Sequence, residues 1–366
     1  MPAALLAALA RGTSPQNEML TMVQLVGERF AQLTKAIDAY HTHPYRRDLD
    51  DPPVVWHAPG VRLLDFGLPQ FPDAPPLLIV PSLINRHYVL DLRQGQSFVR
   101  WLAAAGLRPM LIAWDDLQAS NETATVDGCI TTRLEPALAM VQSLTGQRPI
   151  LLGYCLGGLL TVALASRRPD DILGHILMAT PWDFHGGDDG LCKSAANMLP
   201  LMEPLLQTLG TLPIDAVQML FYALDPFQVI GKFLNFSEID QTSAQAKAFV
   251  ALEDWLNDGI AMPAPIARTL LADWYGANTP ARGTWRVDGQ PIRPEALAHP
   301  ALLLVPTHDR IVPPASAMAL GEKLPNATIL TVETGHIGMV SSRRAPELVW
   351  QPLLDWVQNT IYTAAR

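Results

Sequence analysis

Short apolar runs alternate with helical patterns through most of this chain. The apolar runs lie at residues 77–81, 109–114, 149–154, 172–179, 301–305 and 328–332. The helical patterns between the first four runs lie at residues 97–105, 134–144 and 159–166. A short run that is apolar throughout is typical of a strand buried on both faces of a parallel sheet. The alternation therefore predicts the α/β class, with a mostly parallel central sheet covered by helices.

One long interval interrupts this alternation. Between residues 182 and 301 the chain shows helical patterns broken by prolines and glycines, and no strong strand. An insertion between two strands of one sheet most economically forms a cap over the carboxyl edge, where open α/β sheets place their sites. We therefore predict a helical cap or lid at 183–285, inserted into a core formed by 60–182 and 286–366.

The first 59 residues are predicted to form an N-terminal helical segment. Apolar residues at three- and four-residue spacing predict a helix over 17–40, and the short apolar run at 3–10 predicts a helix or a frayed end. Residues 44–59 are rich in Pro, Asp and Arg and predict an irregular connection. At the other end of the chain, residues 346–361 predict a closing helix.

A strand, a Gly-x-Cys-x-Gly turn and a helix follow one another around Cys155. The turn reads Gly153-Tyr154-Cys155-Leu156-Gly157, between the apolar run ending at Tyr154 and an apolar helix predicted to begin near Gly158. This is the context of a nucleophile elbow, in which the nucleophile occupies a strained turn and the flanking glycines avoid collisions with neighbouring backbone. A helix N-terminus also favours a thiolate. We predict that Cys155 is the nucleophile of an α/β-hydrolase fold.

An acid and a histidine follow in the chain order expected of that fold. Asp309 comes after the run 301–305, and His336 comes after the run 328–332. Both residues are therefore expected at the same sheet edge as Cys155. Taken singly, Asp309 would more often be an N-cap or turn residue, and His336 a surface loop histidine. Their joint placement after the expected strands predicts a Cys155-His336-Asp309 triad.

The remaining site predictions concern the oxyanion hole and the pocket wall. The Leu156 N–H, with a second N–H from Leu83 or Ile84 after the first strand, is expected to hold the oxyanion. The residues predicted to line the substrate pocket are His87, Trp182 and Trp255. Core packing is the alternative for both tryptophans.

Several motifs, taken in order, resemble those of the polyhydroxyalkanoate synthases. They comprise residues 77–92 with 97–102, Asp254-Trp255-Leu256-Asn257-Asp258, residues 285–292, Asp309-Arg310-Ile311-Val312-Pro313 and Gly335-His336-Ile337. The resemblance runs from about residue 60 to the end of the chain. It is therefore carried by much more than the pentapeptide around Cys155.

The resemblance implies polymerisation of 3-hydroxyacyl-CoA with release of CoA, through a cysteine acyl-enzyme. At the matching positions, Cys155 would carry the growing chain, His336 would take the thiol proton, and Asp309 would help to activate the incoming hydroxyl. The implied partners are 3-hydroxyacyl-CoA and the polyester chain, together with either a second copy of this chain or a second synthase subunit. A cytoplasmic location, with the surface of a polyhydroxyalkanoate granule as a further site, follows from the same resemblance.

Other functions remain open at this stage. The elbow also resembles that of dienelactone hydrolases, which open a lactone with Cys, Asp and His. A related α/β hydrolase acting on 3-hydroxyacyl thioesters or polyester oligomers differs from the synthase only in that water, and not a hydroxyl, attacks the acyl-enzyme. A granule-associated scaffold that retains the fold is the non-enzymatic alternative, against which the complete triad argues.

Charge and cysteine content exclude several other classes of function. The net charge of −9 and the absence of a long Lys/Arg cluster argue against a nucleic-acid partner. Three cysteines without C-x-x-C spacing argue against a disulfide framework or a zinc site and favour a reducing cytoplasm. No apolar stretch reaches the roughly 18–20 residues of a transmembrane helix. We predict no metal and no cofactor, with CoA present only as part of the substrate.

Overall fold

The computed structural model describes residues 15–119, 123–187, 189–224 and 226–362. The predicted apolar element at residues 3–10 lies outside the described residues. The described residues divide into two compact units: those up to residue 46 with those from 226 to 253, and those from 47 to 224 with those from 254 to 362. The second unit contains the central sheet and every predicted site residue. The predicted boundaries of the core and the cap stay a prediction.

The central sheet has eight strands, six of which coincide with the predicted apolar runs. In chain order the strands are β1 Val54–Ala58, β2 Val61–Asp65, β3 Pro76–Val80, β4 Arg108–Trp114, β5 Ile150–Tyr154, β6 Gly174–Met178, β7 Ala301–Pro306 and β8 Ala327–Val332. Their spatial order is β1-β2-β4-β3-β5-β6-β7-β8. From β4 to β8 all neighbours are parallel. The mostly parallel sheet of the predicted α/β class is confirmed.

The β1 edge of this sheet differs from the sequence prediction. Residues 44–59 were expected to be irregular, but Val54–Ala58 forms β1 and pairs antiparallel with β2, which in turn pairs antiparallel with β4. Strand β1 is only partly buried, so its burial does not require the continuous apolar run that marks β3 or β5. The prediction of an irregular connection was therefore wrong for the last third of that stretch.

Helices cover the sheet and occupy the interval between β6 and β7. The helices are α1 Pro15–His41, α2 Phe98–Ala104, α3 Glu135–Thr145, α4 Leu156–Arg167, α5 Asp189–Leu209, α6 Ile214–Leu224, α7 Pro226–Glu238, α8 Ala244–Asn257, α9 Ala264–Arg268, α10 Pro314–Gly321, α11 Gly338–Ser341 and α12 Gln351–Trp356. Turns of π-helix adjoin three of them, at Cys129–Leu134, Thr269–Gly276 and both ends of α12. Helix α5 continues through Pro200 and Pro204, where breaks were expected.

Short two-stranded pieces connect the main elements. They pair Asp91–Arg93 with Gln96–Ser97, Thr211–Leu212 with Met262–Pro263, and Arg286–Val287 with Gln290–Pro291. A 3₁₀ turn at His87–Leu90 follows the loop after β3. No helix among the described residues combines the length and the apolar composition needed to cross a bilayer.

The smaller unit is built on helix–helix packing. Phe236 and Phe249 stack with ring centroids 4.3 Å apart, next to buried Ala246 and Val250. The Lys232 ammonium binds the buried Glu253 carboxylate at 2.7 Å. The predicted helix over 17–40 is confirmed as α1, and several of its apolar residues between Met19 and Phe30 are exposed, with Phe30 at 70 %.

Candidate active site

Cys155 lies at the junction of β5 and α4 in a conformation that side chains rarely adopt. Its φ is 55° and its ψ is −127°, and its side chain is almost fully buried. A non-glycine residue in such a region costs about 1–3 kcal/mol and is held there by its surroundings. Here the Cys155 N–H donates to Met178 O at 2.9 Å, and the Gly158 N–H donates to Cys155 O at 2.9 Å. The strain is localised at the predicted nucleophile.

Three glycines around Cys155 lie so close to neighbouring atoms that no Cβ would fit there. A Cβ at Gly153 would meet Gly158 Cα and Thr161 Oγ1, and a Cβ at Gly157 would meet the carbonyl oxygens of Val80 and Pro81. At Gly158 it would meet the Thr180 side chain. A Cβ atom is fixed by the backbone and cannot turn away from these neighbours. The turn therefore accepts glycine alone at these three positions. The Gly157 contact also brings the first turn of α4 against the end of β3.

Asp309 and His336 form a directly hydrogen-bonded pair. His336 Nδ1 lies 2.7 Å from Asp309 Oδ2, and both residues are buried. Since the carboxylate can only accept, Nδ1 carries the hydrogen and the other ring nitrogen, Nε2, is left for another partner. Asp309 Oδ1 accepts from the N–H groups of Ile311 and Val312, each at 2.8 Å. Both oxygens of this carboxylate are therefore engaged.

The side chain of Cys155 is the second group that acts on the His336 imidazole, after Asp309. Burial lowers the pKa of His336, but the negative charge of Cys155, followed by the hydrogen bonds to Asp309 and Cys155, raises it to about 10. An imidazolium is therefore favoured at neutral pH when the sulfur is anionic. The arrangement suits a thiolate–imidazolium pair, the reactive form of a cysteine nucleophile.

The predicted oxyanion donors lie on two elements that touch each other. Leu156 is the first residue of α4, so its N–H belongs to the helix N-terminus. Leu83 is buried, and the Ile84 N–H is directed at Ser82 Oγ at 3.4 Å. The Trp114 indole N–H holds Pro81 O at 3.1 Å, at the start of this loop. That loop and the helix N-terminus meet through Gly157, as an oxyanion hole requires.

The three residues predicted to line the pocket have different surroundings. His87 begins the 3₁₀ turn, and its buried Nδ1 has no hydrogen-bond partner in the described part of the chain. Burial, followed by the charges of Arg62 and Arg47, lowers the pKa of His87 to about 4. Trp182 is 2 % exposed, with its ring 6.3 Å from that of Trp285.

Trp255, the third of these residues, is 6 % exposed and donates its indole N–H to Arg86 O at 2.7 Å. The assignment of His87, Trp182 and Trp255 to the pocket wall stays a prediction. Among the described residues, no three His, Cys, Asp or Glu side chains converge on a point where they could hold a metal ion.

Two protein-family models match parts of this chain. Residues 122–342, more than half of the chain, match the family model of the alpha/beta hydrolase fold. The chain belongs to the α/β-hydrolase family. Residues 58–102 of this α/β-hydrolase match a second model, the N-terminus of poly-beta-hydroxybutyrate polymerase (PhaC).

Curated relatives of this α/β-hydrolase agree with the second match. It is 29 % identical to the poly(3-hydroxyalkanoate) polymerase subunit PhaC of Haloferax mediterranei, over 77 % of this chain and 58 % of that protein. It is also 29 % identical to the subunit PhaC of Synechocystis sp., over 78 % of each chain. The match thus spans less than two thirds of the Haloferax polymerase and more than two thirds of the Synechocystis one.

Solved structures agree on the fold. The thioesterase domain from the curacin biosynthetic pathway superposes with a TM-score of 0.50 at 15 % identity, over 85 % of this chain and all of that one. At this identity the likeness concerns the α/β-hydrolase fold alone. The predicted fold class and the predicted resemblance to polyhydroxyalkanoate synthases are both confirmed.

One contact in the α/β-hydrolase site escaped the sequence prediction. The Tyr154 hydroxyl donates to the backbone oxygen of His336 at 3.2 Å, and the two rings lie 5.4 Å apart. Tyr154 is buried, and burial, followed by the charges of Cys155 and Asp309, holds its pKa well above 10. The phenol therefore remains a donor that fixes the backbone of the histidine. The position next to the nucleophile was the available signal, but only the fold brings β5 against the loop after β8.

Proposed function

We propose that this α/β-hydrolase is an acyltransferase that polymerises 3-hydroxyacyl-CoA and releases CoA through a Cys155 acyl-enzyme. The observation that carries the proposal is the strained Cys155, whose negative charge raises the pKa of a His336 that is hydrogen-bonded to Asp309. Cysteine suits this reaction because exchange of one thioester for another is nearly balanced in free energy. The names of the curated relatives supply the substrate class.

The first half-reaction loads the enzyme. The Cys155 sulfur attacks the thioester carbonyl of a 3-hydroxyacyl-CoA, and the oxyanion is stabilised by the N–H of Leu156 and an N–H of Leu83 or Ile84. The bond between the carbonyl carbon and the CoA sulfur then breaks. His336, as imidazolium, gives its proton to the departing CoA sulfur. The products are free CoA and a 3-hydroxyacyl thioester on Cys155.

The second half-reaction lengthens the chain. The 3-hydroxyl oxygen of another acyl group attacks the thioester on Cys155 while the neutral His336 takes the hydroxyl proton. An ester bond forms, the bond between Cys155 and the acyl carbon breaks, and the thiolate–imidazolium pair returns. We assign the base role in this step to His336, because both oxygens of Asp309 are already engaged by His336 and by the N–H groups of its own loop.

We also propose that the active form contains a second chain, since the curated relatives are named as polymerase subunits. That chain is either a second copy of this protein or a separate synthase subunit. Light scattering measures whether the purified chain is a dimer, and an assay of the chain by itself measures whether it is active. An active dimer indicates a second copy, and an inactive chain indicates a separate subunit. The surface of a polyhydroxyalkanoate granule is the proposed location of the working enzyme.

The test is to incubate the purified chain with 3-hydroxybutyryl-CoA and to follow free CoA with a thiol reagent while polymer and monomer are separated. CoA release together with polymer is the expected result. Release with monomeric 3-hydroxybutyrate alone would instead identify a thioesterase.

Two variants assign the chemistry to Cys155. Cys155→Ala should release no CoA, whereas Cys129→Ala, which removes another buried cysteine from outside the site, should release it at the wild-type rate. Full activity in the Cys155→Ala variant would contradict the acyl-enzyme mechanism.

A further inference from the structure

Residues 254–260 carry a motif that the triad and the oxyanion hole leave without a role. In the structure they lie against the loop that follows β3. The Trp255 indole N–H donates to Arg86 O at 2.7 Å, and the Ile260 N–H donates to Ile84 O at 3.2 Å. Asn85 and Gly259 also form an antiparallel bridge. We call this contact between residues 255–260 and 84–88 the clasp.

Side chains of the β3 loop reinforce the clasp. The Asn85 amide donates to Trp255 O and Leu256 O, each at 3.4 Å. Asp258 accepts from Arg86 Nε at 2.7 Å through one oxygen and from the Tyr88 hydroxyl at 3.1 Å through the other. The Arg86–Asp258 pair is about half exposed, so it contributes orientation more than free energy. The buried Trp255 is the centre of the contact.

The clasp and Trp114 hold the loop at two points that bracket the predicted oxyanion donors. Trp114 binds Pro81 O at one end, and Trp255 binds Arg86 O at the other. Leu83 and Ile84 lie between these two indole anchors. Because an oxyanion donor must be held within a fraction of an ångström, the position of each anchor sets the position of the donor.

We propose that Trp255 and Asp258 are positioning residues for acyl transfer, which hold the oxyanion donor at Leu83 or Ile84 in place through the backbone of Asn85 and Arg86. This inference rests on the proposed function, whose oxyanion hole it completes. It assigns a role to the Asp254–Asp258 motif that does not involve contact with substrate.

The first test compares Trp255→Phe with Trp356→Phe. Both tryptophans are nearly buried, at 6 % and 7 % exposure, but the Trp356 indole N–H has no partner within the part of the chain that the structure describes. Acylation is followed as the burst of 4-nitrophenol from 4-nitrophenyl acetate and as CoA release from 3-hydroxybutyryl-CoA. Alkylation of Cys155 by iodoacetamide is quantified on its peptide by mass spectrometry. Because this reaction forms no oxyanion, its rate measures the reactivity of the Cys155 sulfur independently of the oxyanion hole.

Trp255→Phe should lower the rate of acylation by about 10- to 100-fold with both acyl donors, the loss expected when an oxyanion donor is misplaced. Its Cys155 should be alkylated at the wild-type rate, and Trp356→Phe should leave both rates unchanged. Equal acylation in the two variants would overturn the proposal. A parallel fall of alkylation and acylation in Trp255→Phe would also overturn it, because the defect would then lie at the nucleophile.

Asp258→Asn provides a second variant that changes no buried volume. It should lower kcat for acylation with little change in KM, while Asp258→Glu should recover part of the rate. Glu203→Gln, in the similarly exposed pair with Arg268, is the matched control and should act like wild type. An Asp258→Asn enzyme with wild-type kcat would contradict a positioning role for Asp258.

The two acyl donors separate failure of this inference from failure of the proposed function. If the wild-type protein gives a 4-nitrophenol burst but releases no CoA, the proposed substrate is wrong while the clasp is still tested by the ester. If the wild-type protein uses both donors and Trp255→Phe matches Trp356→Phe, the clasp alone is wrong.

Discussion

At the scale of single residues, the backbone of Cys155 is strained, whereas Asp309 is held by hydrogen bonds. Cys155 stores backbone strain at a positive φ, whereas Asp309 is held without strain by three hydrogen bonds. Three of the roughly four acceptor positions of this carboxylate are occupied, and the residue is buried. In the proposed mechanism, Asp309 acts through His336, by fixing the ring and stabilising its charged form.

Asp309→Asn tests this assignment because it keeps the size of the side chain and removes its charge. We expect loading of the enzyme and chain elongation to fall by the same factor, about 100-fold or more, since His336 serves both steps. Release of the first CoA in a single turnover measures loading, and steady-state polymer formation measures elongation. The exposed Asp170→Asn is the control. Loss confined to elongation would show instead that Asp309 activates the hydroxyl.

At the scale of elements, the elbow and the loop after β3 depend on each other through Gly157. Gly157→Ala should lower the free energy of unfolding by about 2–3 kcal/mol, because the new methyl group meets the carbonyl oxygens of Val80 and Pro81. It should also reduce acylation, since the loop must move. Urea unfolding monitored by tryptophan fluorescence measures the first effect.

Gly27→Ala, on helix α1, is the control for this substitution, because no atom of the described residues lies within 4 Å of the added methyl group. It should leave stability unchanged or raise it by about 0.5–1 kcal/mol, the helix preference for alanine. Equal stability of the Gly157→Ala and wild-type proteins would show that the two elements do not approach as closely as described.

The parallel strands were predictable and the partly buried edge strand was not, for one physical reason. Strands such as β3 and β5 are buried on both faces, so burial alone requires a continuous apolar run. Strand β1 has a partly buried, irregular pattern and is stabilised by pairing with β2. Pairing depends on a partner strand, which no local pattern of β1 specifies.

In the candidate site, too, some features could be predicted from the local sequence and others could not. Each triad member follows a predictable strand, so its place at the sheet edge could be inferred from the sequence. The clasp joins residues about 170 positions apart, and Tyr154 reaches a loop 182 positions away. Such contacts depend on the folded path of the whole chain. Trp255 could be selected as a site candidate, but its hydrogen bond to Arg86 could not.

At the scale of the whole molecule, buried histidines couple stability to pH. Burial lowers the pKa of His299 from 6.5 to about 4, and burial, followed by the charge of His299, lowers that of His175 well below 6.5. The two rings lie 6.0 Å apart, and His175 Nδ1 and His299 Nε2 are unpartnered within the described residues. His175 Nε2 is hydrogen-bonded to Thr161 Oγ1 at 2.8 Å, but no negative charge among the described residues raises the pKa of either ring.

The sign of this coupling follows from proton uptake. Below about pH 6.5 the unfolded chain binds protons at these histidines and the folded chain does not, so their contribution to stability is complete above pH 6.5 and is lost as the pH falls towards 4. His336 acts in the opposite direction. Because its pKa is raised to about 10, its contribution is present below pH 6.5 and is lost as the pH rises through 10.

His299→Asn isolates the acid side of this dependence. Between pH 7.5 and pH 5, the wild-type protein should lose about 2 kcal/mol more of its free energy of unfolding than the variant, since asparagine takes up no proton in either state. Urea unfolding at pH 7.5, 6 and 5 measures the two slopes, whatever the absolute stability of the variant. His57→Asn, at an exposed position of strand β1, controls for the loss of a histidine. If the free energy of unfolding of the wild-type and His299→Asn proteins changed equally with pH, His299 would be protonated as readily in the folded chain as in the unfolded one. Burial would then not lower the pKa of His299.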